Sequence, residues 1–207
     1  DIAVDNYLDL AKTTRDPGVI ERATRISVYA RDNESAYEAA SLWVEVDPKN
    51  PDAHQVLTVM SLRAGNIDEA LHHLEVILES SQGQFDQKLW MIANFLGRED
   101  DQAAVIQLME RVMENHMDDA EAMFAFAHVT ARMGDMERSQ DLLERVLELR
   151  PDNDAAAMTY LALLQKKGES NKALEWIESA LEDKEDDFNM RMAYARLLTE
   201  VKRFDDA

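Results

Sequence analysis

Adjacent histidines, His72 and His73, with Glu69 four residues before the second, are the first side chains whose types could hold a metal or move a proton. Neighbouring residues on a helix point to different sides, so the two imidazoles share a metal poorly, and no further ligand lies at metal spacing. Both are expected on the surface. The acidic stretch "EDKEDD" at 182–187 lacks the glycine and the spacing of a calcium loop and is expected to be a solvated turn. The absence of cysteine removes disulfides, thiolate zinc sites and thiol catalysis together. Glycine-rich phosphate loops and nucleophile elbows are missing too. These observations predict a non-enzymatic chain with no cofactor and no metal.

Composition narrows the partners. The 207 residues hold 42 acids against 22 bases, a formal charge of -20 that repels phosphate backbones, so nucleic acid is not an expected ligand. No apolar run approaches the roughly 18 residues needed to span a bilayer, so direct membrane insertion is not expected. With 46% hydrophobic residues, 6 Gly and 4 Pro, the chain reads as ordered and helical.

The elements that would position any site repeat along the chain. "RAGNIDEAL", "RMGDMERSQ", "KKGESNKAL" and "EVKRFDDA" share a polar helix end, a tight turn and an acidic helix start. A row of anchors, mostly small, runs through Ala36, Ala70, Val105, Ser139, Ala173 and Ala207, in steps of 34, 35, 34, 34 and 34. Such a period marks stacked supersecondary units. Each reads as two helices: "AEAMFAFAHVTARM", a turn at Gly134-Asp135, then "MERSQDLLERVLEL". "RPDN" at 150–153 and "DPKNPD" at 47–52 stop one helix and cap the next.

A second row in the first helices, Thr24, Thr58, Ala93, Ala127 and Ala195, broken by Leu161, is expected to face those anchors where two backbones approach closely. Ile92, Phe126, Tyr160 and Tyr194, with Leu74, Met109, Leu143 and Ile177, fill between them. Trp43, Ile77, Val112, Val146 and Ala180 continue the seam. One helix pair cannot bury such a face alone, but stacked pairs can.

These features resemble the tetratricopeptide repeat family. The resemblance covers residues 17–207 and implies an all-α fold, an α-α superhelix or solenoid of antiparallel helix pairs. It divides a single repeat domain into the second helix of a preceding repeat (1–16), five repeats (17–50, 51–85, 86–119, 120–153 and 154–187) and a truncated repeat (188–207). On this reading the chain is a segment of a longer protein. The turn glycine is present only at Gly65, Gly134 and Gly168, and the unit at 86–119 has no proline.

In the family the first helices line a concave groove, and the resemblance implies which residues face it. One row is Gln55, Trp90, Phe124, Met158 and Met192, an apolar stripe costly to leave in water unless it packs against neighbouring helices. A second is Arg63, Arg98, Arg132 and Lys166, suited to an acidic segment or a carboxylate, though cations are favoured at helix C-termini in any case. Asn94, His128 and Arg196 lie on an adjacent row as polar anchors. The Lys/Asn pattern of the carboxylate clamp in chaperone-binding members is not reproduced in register.

Residues 5–32 and 192–207 are similar to segments of Gram-negative outer-membrane tetratricopeptide lipoproteins, adaptors of a periplasmic carboxyl-terminal processing protease. That resemblance implies a periplasmic, lipid-anchored scaffold with a protease and its clients as partners. The alternatives are a cytoplasmic or secretion-system assembly factor, a regulatory domain of a larger enzyme, or a spacer. The half repeat from Phe188 is expected to leave Leu197 and Leu198 partly uncovered and to favour end-to-end self-association.

Overall fold

The computed structural model describes residues 2–79, 85–114, 116, 118–183 and 187–203. Among the described residues there are twelve α-helices and no strand, an all-α chain of helix hairpins. The first helices of successive pairs begin at Pro17, Pro51, Phe85, Ala120, Asp154 and Phe188. The near-34 step of the sequence is therefore a step in structure.

Local chemistry sets the boundaries. Asp16, Asp32, Asp135 and Asn153 each accept a backbone N–H of the first turn at 3.0–3.1 Å, satisfying a donor that the helix leaves orphaned. Pro17 and Pro51 occupy the opening turn, where a missing N–H costs nothing. At the other ends Gly134 and Gly168 take the left-handed conformation, with φ of 86° and 78°. Arg31 stands at φ 58° in the corresponding turn of the first repeat, a conformation that costs a side chain about 1 kcal/mol.

The chain divides into two compact units, Asp1–Met117 and Asp118–Ala207. Unit 1 holds α1 (Ile2–Thr14), α2 (Pro17–Ala30), α3 (Asn33–Val46), α4 (Pro51–Arg63), α5 (Ile67–Glu79), α6 (Phe85–Leu96) and α7 (Gln102–Met113). Each of α1 to α5 packs on its successor, and the second helices of neighbouring pairs touch as well, α1 on α3 and α5 on α7. Unit 2 holds α8 (Ala120–Met133), α9 (Met136–Leu149), α10 (Asp154–Lys167), α11 (Ser170–Asp183) and α12 (Phe188–Glu200), each packed on the next.

The anchors are buried. Ala36, Ala70, Val105, Ser139 and Ala173 are fully enclosed, as are Thr24, Thr58, Ala93 and Ala127 opposite them; Ala207 lies outside the described residues. Their closeness is direct in unit 2, where the Ser139 hydroxyl on α9 donates to the Ala127 carbonyl on α8 at 2.9 Å. Large residues fill the seam as expected, with Leu74, Leu143 and Ile177 at 0% exposure. Truncating such a leucine to alanine costs about 2–5 kcal/mol.

Two packing expectations fail. Leu197 and Leu198 are buried, at 1% and 0% exposure, because α12 turns that face against α11. Ala180 and Ala195 are only half-buried, at the end of the seam.

Candidate functional site

The outward faces of the first helices carry the candidate rows. In unit 1, Gln55 is half-buried on α4 and lines an open cleft of about 440 Å³ between α2 and α4, with Val28, Tyr29, Trp43 and Val56. Tyr29 is 92% exposed. Trp90 is half-buried on α6, and Asn94 and Arg98 are exposed beyond it. Arg63 is committed to its own unit. Its guanidinium donates through Nε (2.7 Å) and Nη2 (3.1 Å) to the two oxygens of Glu99, and through Nη1 to Asn33 Oδ1 (3.0 Å). The Glu99 side chain is only 9% exposed, so the fork ties three helix ends together.

In unit 2 the row splits. Phe124 is buried at 5% exposure, inside the run Ala122–Ala127, every member of which is buried. An unbroken apolar run of this kind is the sequence signal for a helix enclosed on nearly all sides. His128 is half-buried, and burial together with the Arg132 charge holds its imidazole below the ordinary value. Met158 on α10 and Met192 on α12 stand outward at 40% and 50% exposure. Lys166, Arg132 and Arg196 are exposed.

The histidine reading needs correction. His73 is not a surface group. It is 9% exposed, and its Nδ1 lies 3.0 Å from Nδ1 of His54, a 3%-exposed residue on the partner helix α4. The ring of His72 is 5.3 Å away. His54 Nε2 faces the Pro48 carbonyl at 3.0 Å, and a carbonyl only accepts, so Nε2 carries the proton. The bare His54 Nδ1 then accepts the His73 Nδ1–H. Burial, and next the neighbouring histidines, push His73 down to about 4. The pair is therefore a satisfied core contact, in which His73 is uncharged near neutral pH. Among the described residues no group of three or more His, Asp or Glu is placed to hold a metal ion.

Glu69, one turn before His73, is held by other groups. Tyr37 on α3 donates to Oε1 at 2.6 Å, while Ser61 and Asn66 donate to Oε2 at 3.0 Å. The Tyr37 hydrogen bond is the main reason its carboxyl sits below the usual range. Unit 2 repeats a related device. Tyr160 on α10 donates to Glu144 Oε1 on α9, and Tyr194 on α12 to Glu178 Oε1 on α11, both at 2.7 Å. Burial works to raise Glu144, but the donors Tyr160, Lys172 and Gln140 outweigh it and hold it low. Lys167 is tied to Glu137 and Glu169, at 2.9 and 3.0 Å. The acidic turn at 182–187 falls partly outside the described residues.

No described helix is long and apolar enough to cross a membrane. Residues 131–197, spanning the end of α8 through most of α12, match the family model described as tetratricopeptide repeat. A TPR repeat-containing protein of Pseudomonas aeruginosa is 31% identical over 127 residues, which are 61% of this chain. The chain spans 21% of that relative's length. Among solved structures, the Thermus thermophilus tetratricopeptide protein TTC0263 is similar at 17% identity, with a TM-score of 0.47. The alignment covers 89% of this chain and 100% of that one. YrrB, described as a TPR protein with an unusual peptide-binding site, is similar at 18% identity and a TM-score of 0.45, over 90% of this chain and 96% of its own. The family model and the Pseudomonas relative support the tetratricopeptide repeat family.

Proposed function

We propose that this chain is a non-catalytic protein-interaction scaffold that holds protein segments on the outward faces of its first helices. We place it as an adaptor of a periplasmic protease or cell-wall enzyme. The observation that carries the first part is where large apolar side chains meet water. Of the ten such residues exposed among those described, six lie on first helices: Val28 and Tyr29 on α2, Met91 on α6, Met158 on α10, and Phe188 and Met192 on α12. Aromatics and methionine are what adaptable recognition surfaces use, and they cost free energy in water until a partner covers them. The periplasmic part rests on the resemblance of residues 5–32 and 192–207 to lipoprotein adaptors of a processing protease.

The test is affinity capture from detergent-solubilised bacterial envelope, comparing the native chain with Tyr29→Ala/Met158→Ala/Met192→Ala. These side chains are exposed, so the triple variant is expected to fold. Recovery of a protease or cell-wall hydrolase by the native chain alone is the expected result. Equal recovery by both forms moves binding off the first helices and ends the proposal as stated.

A further inference from the structure

The chain holds eleven methionines and no cysteine, so thioethers are its only sulfur and the groups that two-electron oxidants reach first. Burial divides them. Met60, Met109, Met123, Met133 and Met190 are buried, and Met113 and Met136 are half-buried. Met91, Met158 and Met192 stand in solvent, and each is on a first helix: α6 in unit 1, α10 and α12 in unit 2. Met117 lies outside the described residues.

The contrast is sharpest within one helix. Met190 and Met192 lie two residues apart on α12, about 200° around its axis. Met190 is 2% exposed and Met192 50%. Met158 holds the register of Met192 one repeat earlier, and exposed Ala162, one turn further along α10, is too short to cover its sulfur.

Oxidation at the exposed positions changes surface chemistry without touching the core. Hydrogen peroxide delivers one oxygen atom to Sδ: the S–O bond forms as the O–O bond breaks, sulfur loses two electrons, and the remaining oxygen leaves as water. A flexible apolar side chain becomes a polar one with a strong acceptor. At Met190 that acceptor would be buried without a partner, which is destabilising. At Met192 it meets water, and the helix has no reason to move.

We propose, resting on the scaffold reading above, that Met91, Met158 and Met192 are oxidation sites that turn the first-helix surface from apolar to polar while the helices stay folded. The oxygen comes from a peroxide. The sulfoxides are as open as the thioethers, so methionine sulfoxide reductases restore them at the expense of a dithiol, the oxygen leaving as water. A partner whose apolar side chains cover these methionines is released on oxidation and rebinds on reduction.

The test exposes the purified chain to hydrogen peroxide in non-denaturing buffer and follows each methionine peptide by mass spectrometry. Met91, Met158 and Met192 should gain one oxygen about tenfold faster than the five buried methionines. Circular dichroism should hold, and the chain should elute earlier from a hydrophobic-interaction column. M91L/M158L/M192L, whose leucines take no oxygen, should show no elution shift at the same dose. Both methionine sulfoxide reductases with dithiothreitol should restore the native elution. Uniform oxidation of exposed and buried methionines, helicity lost with the first three oxygens, or an equal shift in the leucine variant would each overturn the proposal. None of these readouts needs a partner, so failure here is separate from failure of the envelope capture. In that capture, equal recovery by the oxidised and reduced native chain would overturn the switch. Recovery by neither form would end the scaffold reading and the regulatory role with it, and leave the oxidation sites to stand on the peptide mapping.

Discussion

The two units differ in the side chains that make their polar contacts. In unit 1 a buried imidazole pair lies inside one hairpin, between His54 on α4 and His73 on α5, and Tyr37 on α3 reaches Glu69 on α5 across repeats. The hydroxyls of Thr24, Ser27 and Thr58 turn back to carbonyls of their own helices at 2.9 Å. In unit 2 two tyrosine–glutamate contacts cross from one repeat to the next, Tyr160 to Glu144 and Tyr194 to Glu178, while the Ser139 hydroxyl meets the Ala127 carbonyl inside one hairpin. The same 34-residue frame therefore carries polar locks both within pairs and between them, made by a histidine pair only in unit 1 among the described residues. Which side chains make them decides what disturbs each unit.

Acid is the strongest way to expose this difference. A histidine held below its unfolded value stabilises the fold fully above that value and loses the contribution as pH falls toward the folded one. For His73 the window runs from 6.5 down to about 4, worth up to about 3 kcal/mol. Amide exchange in α4 and α5 should accelerate across that window, and H54L/H73L should abolish the step. Glu144 is also held low, so its contribution is present above the ordinary carboxylate value and is lost only as pH falls below it. His128 moves in the same direction as His73, so unit 2 is best followed in a His128→Asn background.

Removing the inter-repeat lock is the next largest effect. Tyr160→Phe keeps the ring against Trp176, 5.4 Å away, and deletes the hydroxyl that meets Glu144. A hydrogen bond to a charged acceptor predicts a loss of about 1.5–2 kcal/mol, read by urea unfolding. A double-mutant cycle with Glu144→Gln should return a coupling of about 1 kcal/mol. Coupling near zero would mean the tyrosine acts by packing alone.

Arg63→Met tests unit 1 at its helix ends. Losing the fork leaves the 9%-exposed Glu99 side chain uncompensated, at a cost of about 1 kcal/mol. The smallest effect should be a gain. Arg31→Gly relieves the φ of 58° and should stabilise unit 1 by about 0.5–1 kcal/mol, whereas Gly134→Ala in unit 2 should cost about as much.

Much of this frame was legible in sequence because packing repeats. A small residue is required wherever α8 approaches α9, so the spacing of Ala127 and Ser139 is a record of geometry. The contacts particular to unit 1 are not periodic, and so were hidden, whereas Tyr160–Glu144 recurs one repeat on as Tyr194–Glu178. Arg63 finds Glu99 36 residues away and Asn33 30 residues back. His73 drew attention beside His72, yet its partner is His54, 19 residues earlier on the facing helix. The groove rows came from resemblance, which assigns register but not burial. Met158 and Met192 stand outward, while Phe124, at the same register, sits inside the run 122–127.

The scaffold reading is tested most directly by photocrosslinking. A benzoylphenylalanine placed singly at Tyr29, Met158 or Met192 on first helices is compared with one at Asp141 or Glu175, exposed on second helices. Each variant is irradiated in solubilised bacterial envelope, and adducts are resolved by mass spectrometry. Adducts with a protein partner from the first-helix positions, and none from the second, are the predicted result. Adducts from Asp141 or Glu175 alone would contradict it and move the binding surface to the opposite helices.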